Sequence, residues 1–434
     1  MYLRMLNIQN HDNHIAEEFP DLLKEGCMTN YDHLYNTDYY KTLLSKGSFS
    51  EIKLRWKVIH NGTVFPFTGL QDDQLGGLLD EHGEYIDGSG VHRGMGTGRD
   101  IRDEEIEIFD EEVVFLGVWP GVWGHCLTDN IRRLWVLNNK DFMKEHGNKR
   151  FLYVPFQNIE PGDSFRELLE ILGASDIRLE AVRHASRFKK VILPDECFWS
   201  EPDGTRVFTS EYRELIDSIR EFGMQNYTPG NIKKLYFTYS RHPAMRTIGE
   251  RKLERFFSSM GYTIVSPEKY SFKEQLGMLL GCEEFACTVG SASHNSIFLR
   301  DGTKVTLIPR AGFISEYQPA LDQIHELDIT YADSSLSLYV KPDRPWEGPF
   351  YYIVSDQLRE CFGQTGRYRG NKQDFGIYRA LAYVMNGYTE PAEYYKDVVG
   401  GYLSADYEWD GKRSIAVKLL CHSRLRSLIT EMMG

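Results

Sequence analysis

Glu284-Phe285-Ala286-Cys287-Thr288-Val289-Gly290-Ser291-Ala292-Ser293-His294-Asn295-Ser296-Ile297-Phe298 is the stretch on which the fold turns. Residues 284–289 form a short apolar run of strand length. Gly290 and Ser291 break it, and residues 293–300 read as a helix. A buried strand that ends in glycine and small polar residues and then enters a helix is the repeating unit of a parallel αβ sheet. The alternation continues on both sides. Residues 235–239 read as strand, and 250–260 as a helix stopped by Gly261. Residues 262–265 read as strand. Ser271 opens a helix with Glu274 at capping-box spacing, and 304–308 is again strand. A doubly wound half of this Rossmann type binds ligands outside the carboxyl ends of its strands. Residues 234–309 therefore read as a nucleotide-binding half-domain.

Upstream lies a second αβ half. Residues 113–118 form an apolar, β-branched run that Trp119-Pro120-Gly121 ends. A helical period follows through Leu127, Ile131, Leu134 and Leu137. Residues 150–155 read as strand, 164–172 as a helix ended by Gly173, and 190–193 as strand. Residues 224–231, with Pro229-Gly230, have linker composition. The expected organisation is α/β, with two Rossmann-type doubly wound lobes facing a cleft. An extension over 1–105 precedes an acceptor-side lobe over 106–228 and a nucleotide-binding lobe over 229–330. A mixed extension with helices follows over 331–434. In the first extension, residues 54–67 alternate around Asn61-Gly62, a hairpin signal. The glycine-dense run 83–98 is not set between a clear strand and a clear helix, so it reads as a flexible surface loop rather than a phosphate loop.

The chain has 434 residues and a formal net charge of −13. That length fits two domains with extensions. The acidic balance argues against a general nucleic-acid binder while leaving room for a local basic pocket. The seven cysteines include no C-x-x-C pair, which fits reduced thiols and supports neither a zinc ribbon nor a redox motif. The start lacks the pattern of a signal peptide and no stretch approaches bilayer length, so a cytoplasmic location is expected.

Three clusters carry the candidate chemistry. In the first, His125 and Asp129 are four residues apart where a strand gives way to a helix, so they share one face. A carboxylate beside an imidazole fixes its tautomer and raises its pKa, as suits a general base, so either His125 or Asp129 is expected as the base with the other orienting it. The plainer alternative is a surface pair between Asp129 and Arg133. In the second, Arg241 and Arg246 lie at a strand-to-helix turn, placed to fork onto a diphosphate. Glu250 opens the helix and either accepts ribose hydroxyls or complements the helix dipole. In the third, Gly290, Ser291 and Ser293 form an anion nest at a helix start, where His294 and Asn295 can donate to phosphate or sugar oxygens. An ordinary αβ loop is the alternative there.

Taken in order, Tyr239-Ser240-Arg241, Arg246, Glu250, Gly261-Tyr262, Pro267-Glu268, Ser271-Phe272, Gln275, Gly290 and Asn295-x-x-Phe298 resemble the signature of glycosyltransferase family 61. Gly124-His125 and Asp129 resemble the family's upstream G-H-x-x-x-D element. The resemblance spans roughly residues 113–309. Two positions depart from it: Gly249 stands where asparagine commonly precedes the glutamate, and Val289 where histidine commonly precedes the loop glycine. The resemblance implies a GT-B architecture and an inverting transferase using nucleotide sugars, UDP-linked in known members. It also implies a glycan or lipid-linked glycan acceptor, as in capsule and other surface-polysaccharide synthesis, with peripheral association with that machinery at the inner membrane face. No Asp-x-Asp triplet occurs, so catalysis without metal or other cofactor is expected. A non-catalytic scaffold relative is the rival expectation, motivated by the two departures.

Overall fold

The computed structural model describes residues 28–30, 45–91, 106–227, 231–239, 247–310, 315–335, 337, 348–366, 378 and 381–382. They form a mixed α/β fold built around two mainly parallel sheets. In the first, parallel strands lie in the order Arg178–Ala181, Arg150–Pro155, Glu107–Trp119 and Ser186–Pro194. The expected run at 113–118 is the buried end of Glu107–Trp119. It is apolar because it is covered on both faces, where alternation would bury polar groups.

Residues expected to form an N-terminal extension enlarge this sheet. Asn61-Gly62 does not make a hairpin. Trp56–His60 and Thr63–Phe65 lie one after the other along the same neighbour, Ser186–Pro194, both antiparallel to it. Asn61 takes a left-handed φ of 48° and its N–H donates to Lys189 O, so the pair makes a bulge in one interrupted strand. A nine-residue strand offers a longer hydrogen-bonding edge than the two short segments offer each other. Thr63–Phe65 instead pairs antiparallel with Gly77–Leu79. The glycine-dense run is exposed at Gly83, Glu84 and Asp87 as expected of a surface loop, but differs from one at Gly88, Ser89, Gly90 and Val91, which are buried. Residues 92–98 of that run lie outside the described residues.

The second sheet is wholly parallel, in the order Met28–Asn30, Asp328–Tyr331, Lys304–Ile308, Glu284–Thr288, Lys234–Phe237 and Thr263–Val265. From Lys234 onward this is the 2-1-3-4-5 winding, whose direction of progress reverses between Lys234–Phe237 and Glu284–Thr288. The capping box of Phe272–Gly281 forms as expected: Glu274 N–H donates to Ser271 Oγ, and the Glu274 carboxylate accepts from Ser271 N–H. The expected helix at 293–300 is a tight 3₁₀ winding over Ser293–Phe298, buried throughout.

One apolar core joins the two sheets. It contains Leu127, Ile131 and Leu134 from the first half and Phe272, Leu276, Ile297 and Phe298 from the second. The helix Ser210–Asn226 runs between them and extends into the segment expected as linker. Tyr212, Leu215, Ile216, Ile219 and Gly223 make its buried stripe. A Cβ on Gly223 would lie 2.5 Å from Leu280 Cδ1, so the glycine permits close helix packing. The described tail residues pack on the second sheet. Phe350–Tyr351 pairs in parallel with Thr247–Ile248, while Tyr352 and Leu358 join a core with Leu253 and Phe257.

Gly249 sits where these pieces meet. Its φ is 93°, and a Cβ there would lie 2.0 Å from the Tyr352 carbonyl oxygen. Backbone cannot yield as a flexible side chain can. Gly249→Ala should therefore destabilise the protein by about 3 kcal/mol, from left-handed strain plus displacement of the tail. Urea unfolding measures this, and an unchanged midpoint would refute the close approach.

Candidate functional site

The first half of the site begins where Glu107–Trp119 ends. Pro120 and Gly121 turn the chain, Asn130 Nδ2 donates to Pro120 O at 3.0 Å, and helical winding starts at Trp123. The winding widens to π type over Cys126–Asn130 and tightens to 3₁₀ over Ile131–Leu137. Such irregular turns re-aim side chains and recur at functional sites. His125 Nδ1 lies 2.7 Å from Asp129 Oδ2. The Asp129 carboxylate also accepts from Thr128 Oγ1 at 2.9 Å and from the Tyr317 hydroxyl at 3.4 Å.

The two partners differ in exposure. The Asp129 side chain is 4% exposed and that of His125 is 38%. A carboxylate only accepts, so Nδ1 carries the proton and the neutral ring presents its lone pair at Nε2. Burial pushes the His125 pKa down, but the hydrogen bond and charge of Asp129 outweigh burial and hold it above the ordinary imidazole range. Tyr317 stands edge-on to the ring at 5.9 Å, with the Arg206 guanidinium stacked over Tyr317 at 4.6 Å.

Behind the dyad are three buried charges. Glu196 Oε1 lies 3.1 Å from Arg132 Nε and 3.3 Å from Arg133 Nη2. Arg132 donates to the Gly90 and Val91 carbonyls, and Arg133 to those of Gly88 and Pro194. Arg133 thus turns away from the surface pairing with Asp129. Arg132 is the arginine near Asp129, at 4.0 Å.

The Gly290 loop faces the dyad helix directly. Trp123 Nε1 donates to Asn295 Oδ1 at 3.1 Å. A Cβ on Gly124 would lie 3.0 Å from Ser291 Oγ and 3.1 Å from His294 Nδ1. Ser293 and Asn295 are buried and brace the loop from within: Ser293 Oγ accepts from Gly290 N–H, and Asn295 Nδ2 donates to Ala292 O. His294 is also buried, which holds its pKa at about 4 and keeps the ring neutral near pH 7. The backbone N–H groups of Gly290, Ala292, Ser293 and Asn295 all donate to protein acceptors. The nest expected from the sequence is therefore largely closed, with Gly290 and Ser291 forming its part-exposed edge.

Arg241 and Arg246 lie outside the described residues. Glu250 is 2% exposed and accepts from the Tyr236 hydroxyl at 2.9 Å. Burial raises its pKa to about 7, against the lowering effects of Tyr236 and Arg310. It supports the strand end from below rather than lying open to solvent.

Arg310, which the sequence reading did not select, follows the strand Lys304–Ile308. Its guanidinium packs over Tyr239 at 4.7 Å and Phe350 at 5.3 Å. It also lies so close to Gly290 that a Cβ there would be 2.6 Å from Nη2. Among the described residues it has no carboxylate within ion-pair distance, and its Nε is buried without a hydrogen bond. The signal was available, because a cation directly past a buried parallel strand occupies the same kind of position that singled out Arg241.

The dyad makes a prediction that needs no substrate. By NMR titration, His125 should lose its proton above the ordinary imidazole range. In Asp129→Asn its pKa should fall, because burial remains and the carboxylate charge is gone. Equal values in the two proteins would remove Asp129 as the cause. A folded pKa raised in this way also means that the pair stabilises the fold fully below the unfolded imidazole pKa. That contribution is lost as pH rises through the folded value.

Among the described residues no helix is long and apolar enough to cross a membrane. No curated protein matches the chain. Residues 123–306 match the family model described as Glycosyltransferase 61, a span that opens beside His125 and runs through the Gly290 loop. This segment is similar to glycosyltransferase family 61, which supports a glycosyltransferase activity.

Proposed function

We propose that the protein is an inverting transferase of GT-B type that moves a sugar from a UDP-linked donor to a glycan or lipid-linked glycan acceptor. The observation that carries this reading is the His125–Asp129 pair, a half-exposed imidazole oriented by a buried carboxylate 2.7 Å away and set against the Gly290 loop. His125 is the base and Asp129 orients it. Nε2 takes the proton of the acceptor hydroxyl while that oxygen attacks the anomeric carbon. The bond from that carbon to the diphosphate oxygen breaks on the opposite face, which inverts the centre. Asp129 stabilises the imidazolium formed.

The leaving diphosphate gains negative charge that must be met. Arg310 supports this role by its place at the strand ends beside Gly290 and its lack of a carboxylate partner among the described residues. Arg241 and Arg246 are proposed to share it, with Gly290 and Ser291 at the edge of the same pocket and His294 neutral behind them. Glu250 positions Tyr239 rather than holding ribose. With cationic side chains supplying the charge, the reaction is proposed to be metal-independent. The setting proposed is surface-polysaccharide synthesis at the cytoplasmic face of the membrane.

Three measurements bear on this. Asp129→Asn should lower turnover by about 10²–10⁴-fold with UDP affinity unchanged, and near-normal turnover in both Asp129→Asn and His125→Ala would end the base assignment. Arg310→Ala should weaken UDP binding by calorimetry roughly 10- to 100-fold, as expected for a lost charge-assisted contact, and Arg241→Ala should act in the same direction. Turnover should survive EDTA, and a metal requirement restored by added cation would overturn that part.

A further inference from the structure

Tyr317 and Gln318 are neighbours in the chain that serve opposite sides of the site. They stand at the start of the short helical turn Gln318–Leu321, which is buried throughout. Gln318 N–H donates to Ser315 O and Asp322 N–H to Gln318 O, so the turn is tied at both ends. Successive residues of a helix point about 100° apart, and the two side chains accordingly take different partners. The Tyr317 hydroxyl donates to Asp129 Oδ1 at 3.4 Å, and the ring stands edge-on to His125.

Gln318 is fully buried and reaches the Gly290 loop. Its Nε2 donates to Asp322 Oδ1 at 2.8 Å and to Ser296 Oγ at 3.2 Å, and its Oε1 accepts from the Ser293 hydroxyl. Asp322 decides which way the amide points, because a carboxylate accepts hydrogen bonds and an amide oxygen has none to give. The Tyr331 hydroxyl donates to the other Asp322 oxygen. Ser293 Oγ in turn accepts from Gly290 N–H at 3.1 Å. An unbroken chain of hydrogen bonds thus runs from Asp322 through Gln318 and Ser293 to Gly290. The Arg310 guanidinium lies against that glycine, where a Cβ would be 2.6 Å from Nη2.

We propose that Gln318 and Tyr317 are positioning residues for the two halves of the site. Gln318 acts through Ser293 to hold Gly290 beside Arg310, and Tyr317 acts through Asp129 to aim His125. A buried amide costs stability unless it is hydrogen-bonded, so an apolar side chain would fill the same space more simply. What the amide adds is direction: with its oxygen and nitrogen both engaged, it specifies one arrangement of the loop. Because the two residues are adjacent, one turn fixes the spacing between the base and the cation. This rests on the transferase reading for what Arg310 and Gly290 bind, and on the hydrogen bonds alone for how they are held.

The test uses the full-length protein with Gln318→Met, Gln318→Asn, Gln318→Glu and Tyr317→Phe. Three quantities are measured: UDP affinity by calorimetry, and Gly290 amide exchange and the His125 pKa by NMR. Methionine fills the space without hydrogen-bonding the loop, and asparagine is too short to reach both Ser293 and Asp322. Either should speed Gly290 exchange and weaken UDP binding roughly tenfold, with the His125 pKa unchanged. Gln318→Glu is the rescue. Beside Asp322 the two carboxyls share a proton, so the new group donates to one side and accepts from the other as the amide did. Its Gly290 exchange and UDP affinity should return close to the wild type. Tyr317→Phe should do the reverse of the first pair. Asp129 loses a donor, so the His125 pKa should rise, while Gly290 exchange and UDP affinity stay as they are. Unchanged Gly290 exchange in Gln318→Met and Gln318→Asn, or no rescue by Gln318→Glu, would overturn the role of Gln318. An unchanged His125 pKa in Tyr317→Phe would overturn that of Tyr317. A wild type that binds no UDP would instead sink the donor reading and leave the two NMR readouts to decide the positioning.

Discussion

Burial of Arg132, Arg133 and Glu196 is the constraint on which the site depends. Two guanidinium groups and one carboxylate, each 3% exposed or less, are held together in the interior. Breaking such a network costs about 3–5 kcal/mol, because the remaining charges lose their partners. One carboxylate cannot satisfy two arginines, so backbone carbonyls do the rest. Those carbonyls come from residues 88–91 and from Pro194, which ties the glycine-rich segment and the end of a sheet strand to the dyad helix. Arg132 reaches within 4.0 Å of Asp129, and Asp129 orients His125. The direction of the imidazole is thus set by a loop some forty residues earlier in the chain.

Much of the parallel architecture was legible because buried parallel strands write themselves as apolar runs. Residues 113–118, 150–155 and 304–308 fall wholly in strands, and 284–289 does so up to Thr288. The antiparallel additions were not legible in the same way. Asn61-Gly62 is a genuine turn signal, but local sequence does not say which edge is on offer, and Ser186–Pro194 took both flanking segments. The interior of the glycine-rich run was misread for a related reason. Its burial is imposed by two arginines from a distant helix, which local composition cannot register.

The site was legible in its pairs and less so in its surroundings. Four-residue spacing brought His125 and Asp129 together, as helical geometry requires. The loop after Glu284–Thr288 was placed correctly at the strand ends, yet most of its polar groups serve the loop itself. A run of glycine and serine announces a turn, and only the fold decides whether its N–H groups face inward or out. Arg310 had the same signal as Arg241, a cation past a buried strand, but its weight comes from Tyr239, Phe350 and Gly290, which converge on it in space.

The contact between Gly249 and Tyr352 decides what position 249 can hold. Asparagine, common at that position in the resembling signature, tolerates a positive φ almost as glycine does, so dihedral preference does not separate the two. The carbonyl of Tyr352, 2.0 Å from where a Cβ would stand, does. Any residue with a Cβ at 249 would therefore require residues 350–352 to lie farther from the helix start, so the glycine fixes how closely the tail docks.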